Sequence, residues 1–505
     1  MTQVIVVGGG LAGMVAALRL AERGCEVTLF DSANRLGGKA GANQNGENFD
    51  EHGYHIFPDW YRNTWKLVDE LGIRGNFEDR AGFLNLRLEN ANPPHYTALL
   101  NINSVPYIWQ NLTSGTLPFL QMVLFFYAAL DLVCQPYSYR AYLDQITVNG
   151  FVRSRFYRTE QVARQFQDMM LKGISCPAYE VSAMTMRNVM RYWTRYPLPT
   201  YRILKGNLQQ LCIEPIQARL VELGCTIRRG QALEKLHVEG ARIARLDMRD
   251  LTTSGTYQVD VDQLILAIPV EKAAALVSDE VYLAAPSLGR LQYLRSRSMA
   301  ALNLYFGRQI PGFPKDHINL LDSRYGLSFL DVSQTWGGCK GTVLNLIASD
   351  FVSLAHLDDA TAIQEMFADL QSFYPTLRWD DVASTNFQSH LDAPLFMNDA
   401  GAWHFRPDSL DPDDPLRKEL TNLHLAGDYC RSHVDLVCME GAVTTGLRAA
   451  EAVRQAAGIA DPIPILIAED PPIGQFRLIK WALLPLIAIT KLLVVIQDLL
   501  SNSKA

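Results

Sequence analysis

The glycine-rich segment near the amino terminus constrains the fold of this chain more than any other feature. Residues 4–7 form an apolar run typical of a buried strand, and Gly8, Gly10 and Gly13 follow it in the spacing G-x-G-x-x-G. Apolar spacing then predicts a helix over 11–21 and a second strand soon after it. The first glycine permits a tight turn, the second lets a pyrophosphate approach the backbone, and the third lets helix and strand pack. The segment therefore predicts a dinucleotide-binding βαβ unit.

Three further residues complete this predicted half of a site. Leu11 and Ala12 place their backbone N–H groups at the start of the predicted helix, where the positive end of the helix dipole attracts phosphate. Asp31 ends the second strand, and an acid at that place accepts hydrogen bonds from a ribose diol. The motif alone leaves the choice between a nicotinamide and a flavin dinucleotide open.

The composition limits the classes of protein to which the chain can belong. Its 505 residues are enough for two or three domains, and 48% of them are hydrophobic, as in a folded globular protein. A net charge of -7 argues against nucleic-acid binding. None of the eight cysteines forms a CxxC pair or a cluster with zinc spacing, so no metal site is expected. No signal peptide is visible before the first strand, and we expect a cytoplasmic protein.

The character of the sequence changes along the chain and indicates interleaved units. Residues 117–133 are almost all apolar, which is typical of a core helix or of a membrane contact, and helical patterns continue to about residue 193. Strand-like runs return over 224–270 and 300–350, and the α/β pattern resumes at 423–428. We predict an α/β fold in which a Rossmann-type dinucleotide-binding domain is interleaved with a substrate domain of mixed sheet plus a helical insert.

The predicted units have the following boundaries. The dinucleotide-binding domain takes residues 1–90, 201–275 and 409–460, the helical substrate and membrane-contact insert 91–200, the substrate domain 276–408, and an apolar C-terminal helix 474–500.

The apolar tail is interrupted by Lys480, Pro485 and Lys491. A lysine at the centre of a bilayer costs about 2.5–3.5 kcal/mol on insertion scales. A helix lying in the membrane interface is therefore favoured over a helix packed on the protein's own core and over a true span.

The segment Arg35-Leu36-Gly37-Gly38-Lys39 resembles that of the flavin amine oxidase/carotenoid desaturase superfamily. Its two glycines let backbone amides reach a diphosphate, and Arg35 or Lys39 can neutralise the phosphate charge. The alternative is a surface turn with two solvated charges. The resemblance implies that the cofactor is FAD.

The resemblance also implies a distant segment that closes over the flavin, and the sequence has such a segment. In the family an aspartate after a strand bonds the ribityl chain, and the start of the next helix faces the isoalloxazine and the pyrophosphate. A helix start there stabilises the anion of the reduced ring. The implied contacts fall on Gly427, Asp428, Glu440, Gly441, Ala442 and Val443.

Weaker similarities add further candidate residues. The segment around His55 looks like one that passes close to the flavin, Ala267 lies at a similar strand end, and Ala232 with Leu233 loosely matches an adenine contact. His55 is either a proton acceptor or a structural histidine bonded to backbone. Arg406 resembles a position near the active site and has either a catalytic or substrate role or a place in a structural ion pair.

Within the superfamily, residues 169–177, 182–183 and 192–193 are similar to the plant and cyanobacterial type of phytoene and zeta-carotene desaturase. The resemblance covers roughly residues 1–460. Typical amine oxidases have a tyrosine immediately before the Met-Glu-Gly-Ala string, where this chain has Cys438. A small residue there suits a flatter slot for a chain-like substrate.

The resemblance implies an FAD-dependent oxidoreductase that desaturates a long lipophilic, isoprenoid or carotenoid-like substrate by hydride transfer to flavin N5. Dioxygen or a membrane quinone is the expected electron acceptor. Because such a substrate is insoluble in water, we expect peripheral association with an inner or thylakoid-type membrane. The alternatives are oxidation of a C–N bond in a lipophilic metabolite, a flavin-dependent isomerase, and a non-catalytic flavin-bearing membrane protein.

Overall fold

The computed structural model describes residues 2–45, 48–99, 105–136, 138, 140–195, 201–389, 391 and 394–502. The helices are α1 Leu11–Ala21, α2 Arg62–Glu70, α3 Val105–Thr113, α4 Phe119–Val133, α5 Arg140–Asp144, α6 Val148–Arg153, α7 Glu160–Ile174, α8 Ala183–Arg195, α9 Glu214–Glu222, α10 Val270–Ala275, α11 Asp279–Ala284, α12 Asp359–Phe373, α13 Ala402–Phe405, α14 Leu416–Glu419, α15 Met439–Ala456 and α16 Ile473–Asn502. The strands are β1 Gln3–Val7, β2 Glu26–Asp31, β3 Ala42–Asn45, β4 Asn48–Glu51, β5 Phe57–Pro58, β6 Phe77–Arg80, β7 Phe83–Arg87, β8 Thr97–Leu99, β9 Tyr201–Leu204, β10 Thr226–Arg229, β11 Gln231–Glu239, β12 Arg242–Asp250, β13 Thr256–Asp260, β14 Gln263–Leu266, β15 Ser296–Arg297, β16 Ala300–Phe306, β17 Ile318–Leu321, β18 Leu327–Asp331, β19 Val343–Ala348, β20 Val382–Gln388, β21 Leu395–Phe396 and β22 Leu423–Leu425.

A five-stranded parallel sheet carries the glycine-rich turn. Its order is β10-β2-β1-β14-β22, and every neighbouring pair is parallel. Val4 and Val6 face a core shared with α1 and α15, whereas Ile5 and Val7 face a core shared with the sheet β11-β12-β13. A strand covered on both faces is apolar at every position, which explains the continuous apolar run. The predicted Rossmann-type unit is confirmed, with α1 at the predicted residues.

A second, seven-stranded sheet has the order β20-β16-β19-β18-β17-β7-β8. It is mixed, because β17 and β7 are parallel while the other neighbours are antiparallel. One face packs on α12 through Met366, Leu370 and Phe373. The other face packs on Tyr54 and Tyr201. The first ninety residues therefore contribute strands to both sheets.

The predicted helical insert contains α3 to α8 within the described part of residues 105–195. Helix α4 lies against α7, α8 and α16. Its residues Met122, Leu124 and Leu132 are fully buried. The apolar run over 117–133 is thus mainly a core helix.

The tail forms one long helix, α16, that is long and apolar enough to cross a bilayer by length and composition. One face packs on the protein: Lys480 Nζ lies 2.7 Å from Asp131 Oδ1, and Lys491 Nζ donates to the Arg158 carbonyl at 2.6 Å. The opposite face is apolar and exposed. Its exposed side chains include Leu478, Trp481, Leu486, Ile489, Leu492, Ile496 and Leu499.

Candidate active site

The glycine turn after β1 is packed too closely for larger residues at two positions. Gly8 has φ +108°, and a Cβ there would lie 2.3 Å from the Ala267 carbonyl oxygen. A Cβ on Gly13 would lie 1.9 Å from the Gly8 carbonyl oxygen. Ala267 also donates its N–H to Val7 O at 2.8 Å, which places the end of β14 against the turn. These contacts set the distance between the sheet and the start of α1.

Gly10 differs from these two glycines because the protein itself does not require it. Its φ of -72° and ψ of 177° suit any residue, and the atom nearest to an added Cβ is Gly38 Cα at 3.9 Å. No side chain caps α1, so the first-turn N–H groups of Leu11, Ala12 and Gly13 are open to a ligand. An open position beside an uncapped helix start fits the pyrophosphate of a dinucleotide.

Asp31 is fixed at the end of β2 by backbone donors. The N–H of Gly9 donates to Oδ2 at 2.6 Å, and the N–H of Ala33 donates to Oδ1 at 2.7 Å. Burial raises the pKa of Asp31, although both N–H groups oppose the shift. The carboxylate therefore lies beside the glycine turn, as the predicted ribose contact requires.

Ala232 and Leu233 begin β11 close to the same strand end. Gly230, just before them, donates its N–H to the Ala33 carbonyl at 3.1 Å. The structure thus brings the loosely matched adenine segment next to the loop that follows Asp31.

The Arg35–Lys39 segment forms a turn with both glycines in the left-handed region, at φ +111° for Gly37 and +55° for Gly38. Arg35 packs over this turn, and its NH1 donates to the Gly38 carbonyl at 3.1 Å. Lys39 Nζ donates to the Pro394 carbonyl at 2.5 Å. Bonds to carbonyl oxygens hold both cationic side chains at the turn, where the predicted diphosphate would bind.

A close helix contact brings the second half of the site to the first. A Cβ on Gly446 would lie 2.3 Å from the Ala12 carbonyl oxygen, so α15 packs directly on the start of α1. Gly427 lies two residues after the end of β22, has φ +143°, and exchanges hydrogen bonds with the Thr445 hydroxyl at 3.0 and 2.9 Å. Within the described part of the chain, the Asp428 carboxylate, next in sequence, has no hydrogen bond or ion pair.

Cys438 caps α15 instead of lining an aromatic cage. Its Sγ accepts the Gly441 N–H at 3.3 Å and hydrogen-bonds the Tyr61 hydroxyl. Burial raises the pKa of the Cys438 thiol to about 12, so the sulfur is protonated at neutral pH. Ala442 follows half-buried, and the Val443 side chain lies in the core with α1, so any cofactor contact by Val443 uses its backbone.

Glu440 directs its carboxylate to α2. Oε1 accepts the backbone N–H and the Nδ2 of Asn63, both at 2.9 Å, and Oε2 accepts the N–H and hydroxyl of Thr64 at 2.8 and 2.7 Å. Burial raises its pKa to about 7 against these four donors. The predicted flavin contact at this position is therefore restricted to its backbone.

The segment with His55 lies against the seven-stranded sheet. A Cβ on Gly53 would approach Ile347 Cδ1 to 3.0 Å, and the Tyr54 hydroxyl bonds Ser328 Oγ at 2.6 Å. Burial lowers the pKa of His55 to about 4, against a hydrogen bond to the Gly53 backbone. Its Nδ1 is buried without a hydrogen-bond partner in the described residues. His55 is neutral at pH 7 and has one ring nitrogen available.

Glu51, four residues before His55 in the sequence, makes the stability of the fold depend on pH. Its buried carboxylate accepts the Leu208 N–H at 2.5 Å, and burial raises its pKa to about 8. Because the folded-state pKa lies above the unfolded value, the stability it contributes is present below about pH 4.5 and is lost as pH rises through 8. We expect Glu51→Gln to gain on the order of 4 kcal/mol relative to wild type between pH 5 and 8, measured by denaturant unfolding. Glu26→Gln, at an exposed side chain, serves as control, and parallel pH profiles for all three proteins would contradict the assignment.

Arg406 holds the loop that carries Asp428. The guanidinium is 2% exposed, forms an ion pair with Asp435 and donates to the carbonyls of Asp428, Tyr429 and Cys430. Every nitrogen is engaged, which favours the structural role over direct contact with substrate.

Arg406→Met removes the ion pair of the buried Asp435 carboxylate, which keeps a hydrogen bond from Asn188 Nδ2 at 3.2 Å, and leaves three carbonyls without this donor. We expect a loss of about 3–5 kcal/mol of unfolding free energy and weaker FAD binding. Arg308→Met, which breaks an exposed pair with Asp381, is the matched control and should change stability far less. Unchanged FAD affinity in Arg406→Met would contradict a role in positioning this loop.

Sequence reasoning missed a set of polar residues on the second sheet. Asn85, Asn303, Asn319 and Asn345 each stand mid-strand between two apolar residues. The repeated apolar-Asn-apolar pattern in four strands was the signal available. The sequence pattern alone does not show that these asparagines share a face of the sheet, because that depends on how the strands pair.

Comparison with known proteins places the chain in a family. The flavin containing amine oxidoreductase family matches residues 11–454. The 15-cis-phytoene desaturase of Synechococcus elongatus is 24% identical over 473 residues, which cover 89% of this chain and 95% of the relative. The zeta-carotene desaturase of Synechocystis sp. is 20% identical over 497 residues, with 89% and 97% covered. Cyclohexylamine oxidase from Brevibacterium oxydans IH-35A has a TM-score of 0.63 at 15% identity, and the match covers 90% of this chain and 99% of that one.

These findings agree with the geometry of the site. The matched residues include the start of α1 and nearly all of α15, which together form the two halves of the predicted cleft. The open position at Gly10, the uncapped helix start and Asp31 fit the dinucleotide part of FAD, and the predicted superfamily resemblance is confirmed. The chain belongs to the flavin containing amine oxidoreductase family and is an FAD-dependent oxidoreductase.

Proposed function

We propose that this enzyme desaturates a long isoprenoid chain of the carotenoid type. The observation that carries the proposal is similarity along nearly the full length to relatives named as phytoene and zeta-carotene desaturases. The capped thiol of Cys438 adds support, because an amine oxidase cage would use an aromatic ring at this position.

FAD, when bound, supplies the acceptor for a hydride. One hydrogen leaves the substrate as hydride and a neighbouring hydrogen leaves as a proton, so the second C–H electron pair becomes the new double bond. The glycine turn and Asp31 would hold one part of the dinucleotide, and Asp428 with the start of α15 would hold the other. Dioxygen or a membrane quinone is the proposed final acceptor of the two electrons.

His55 is our candidate for the proton acceptor. It is neutral at pH 7 because burial lowers its pKa to about 4, and its Nδ1 is buried without a partner in the described chain. Arg406 acts as a positioning residue through the loop 428–435.

We also propose that α16 docks the enzyme on a bilayer surface without spanning it. Between Leu478 and Ile496 the charged side chains are Lys480 and Lys491, and both bond to the protein, so the outer face is apolar throughout. Spanning would require breaking the Lys480–Asp131 pair and placing both lysines in hydrocarbon. At roughly 1.5 Å per residue the helix offers a contact about 45 Å long.

Anaerobic bleaching of the flavin tests the reaction. We expect isoprenoid polyenes of the phytoene type in vesicles to bleach the FAD-loaded enzyme, and lipophilic amines to leave it oxidised. Bleaching by amines alone would overturn the proposal in favour of C–N oxidation.

A further inference from the structure

The two flanks of α16, on either side of its exposed apolar face, differ in charge. A helix turns by about 100° per residue, so Arg477, Lys480 and Lys491 project within about 60° of one another. The opposite flank carries Ile479, Leu486 and Leu493 instead. The positive charges of the helix are therefore gathered along one border of its apolar face.

The loop 153–158 lies along the same border and adds three arginines to it. Lys491 Nζ donates to the Arg158 carbonyl at 2.6 Å. Asp131 Oδ1 lies 2.7 Å from Lys480 Nζ, and its Oδ2 lies 3.2 Å from Arg155 Nε. The loop is thus joined to both lysines of the helix. We call this border the basic flank, and its cationic side chains are Arg153, Arg155, Arg158, Arg477, Lys480 and Lys491.

Acidic side chains do not balance the basic flank. Among the described residues, those paired with it are Asp131, which is 5% exposed, and Glu160, which lies 2.8 Å from Arg153. The acids Glu469, Asp470 and Asp498 lie beyond Arg477 and Lys491 toward the two ends of α16. Six cations therefore face two acids beside the apolar face, although the whole chain has a net charge of -7.

We infer that the bilayer on which α16 docks is anionic, and that the phosphate headgroups of acidic lipids bind along the basic flank; this rests on the proposed docking of α16. A neutral bilayer would match the apolar face but not the charge next to it. A helix is about 10–12 Å wide with its side chains, and the Debye length is about 10 Å at 0.1 M salt. Even the lysines on the protein side of α16 thus lie within about one Debye length of the headgroups.

The test compares phosphatidylcholine vesicles with vesicles in which about one third of the lipid is phosphatidylglycerol. Each cation near an anionic membrane strengthens binding by about fivefold. For the excess of cations on the basic flank, we expect co-sedimentation of the FAD-loaded full chain to show at least about 20-fold tighter binding to the anionic vesicles at 0.1 M NaCl. Raising the NaCl concentration to about 1 M shortens the Debye length to about 3 Å and should remove most of this preference.

A double variant assigns the preference to the basic flank. Arg158 and Arg477 are exposed and donate to the carbonyls of Arg153 and Cys134, so their replacement leaves no buried carboxylate unpaired. Arg158→Gln with Arg477→Gln should reduce the preference about tenfold and leave binding to neutral vesicles unchanged. Arg158→Lys with Arg477→Lys keeps the charge and should keep the preference. Arg242→Gln with Arg245→Gln, at exposed positions of β12, changes the net charge equally and is the control.

Equal binding to the two kinds of vesicle would overturn the inference and leave the docking of α16 standing. Failure to bind either kind would overturn both proposals. A preference that the Arg158 and Arg477 glutamine variant retains, or that the control variant loses equally, would also overturn the inference, because net charge or another surface would then explain it. The wild-type comparison and its salt dependence decide the question if the glutamine variant does not fold.

Discussion

Gly10→Val should yield a folded protein that has lost FAD binding, with affinity reduced by at least about 10³-fold. The backbone of Gly10 is extended and its added Cβ meets nothing closer than 3.9 Å, so the protein tolerates the side chain. The new methyl groups instead occupy the space in which the pyrophosphate approaches the helix start. Circular dichroism and a melting curve measure the fold, and visible flavin absorbance after FAD addition measures binding.

Two other glycines provide the comparison. Gly13→Val should not give a folded protein, because its Cβ would lie 1.9 Å from the Gly8 carbonyl oxygen. Gly173→Val, on the exposed side of α7 with nothing within 4 Å, should bind FAD like the wild type. Normal flavin binding by Gly10→Val would contradict the assignment of this cleft to the dinucleotide.

Replacing four exposed side chains of α16 by glutamine should weaken partitioning into vesicles by at least about 10³-fold. The four are Leu478, Trp481, Ile489 and Leu492. A fully buried large apolar side chain contributes roughly 1.5–3 kcal/mol, so even partial immersion of four gives an effect of this size. Co-sedimentation with lipid vesicles measures the partitioning, and flavin content shows that the rest of the protein is intact.

The control places the same number of glutamines at exposed apolar side chains elsewhere on the protein. Leu251, Tyr282, Leu283 and Tyr293 are exposed and lie outside α16. Their substitution should leave vesicle binding unchanged. Unchanged binding by the α16 variant, or a dimer in solution that this variant alone dissociates, would contradict a membrane-docking role and assign the face to a second copy of the chain.

The parts of the fold that were predictable from sequence depend on short-range patterns. The strand, glycine turn, helix and terminal Asp31 follow one another within thirty residues, so spacing and apolar periodicity specify them. The length of α16 follows from its apolar composition in the same way. The second half of the cleft could be predicted only from the family resemblance of Asp428 and the residues after Cys438.

Features that depend on contacts between distant residues were not predictable. Glu440 bonds Asn63 and Thr64, more than 370 positions earlier, and nothing near Glu440 in sequence indicates this. In the sequence, Lys480 and Lys491 interrupt an apolar segment. The structure shows that Lys480 forms an ion pair with Asp131, which is distant in sequence. A charge in an apolar segment therefore cannot be assigned to lipid or to protein before its neighbours are known.

The strand order of the parallel sheet has a consequence for biosynthesis. β1 and β2 are synthesised before the other three strands of this sheet. Those strands are β10, β14 and β22, at residues 226–229, 263–266 and 423–425. At roughly 5–20 residues per second, about 20–80 s pass between the synthesis of β2 and that of β22, and the parallel sheet is incomplete until β22 is made. Cofactor loading must therefore be a late, nearly post-translational event. Chaperone engagement of the nascent chain should be prolonged, and scarcity of FAD should trap chains that are fully synthesised rather than partly made.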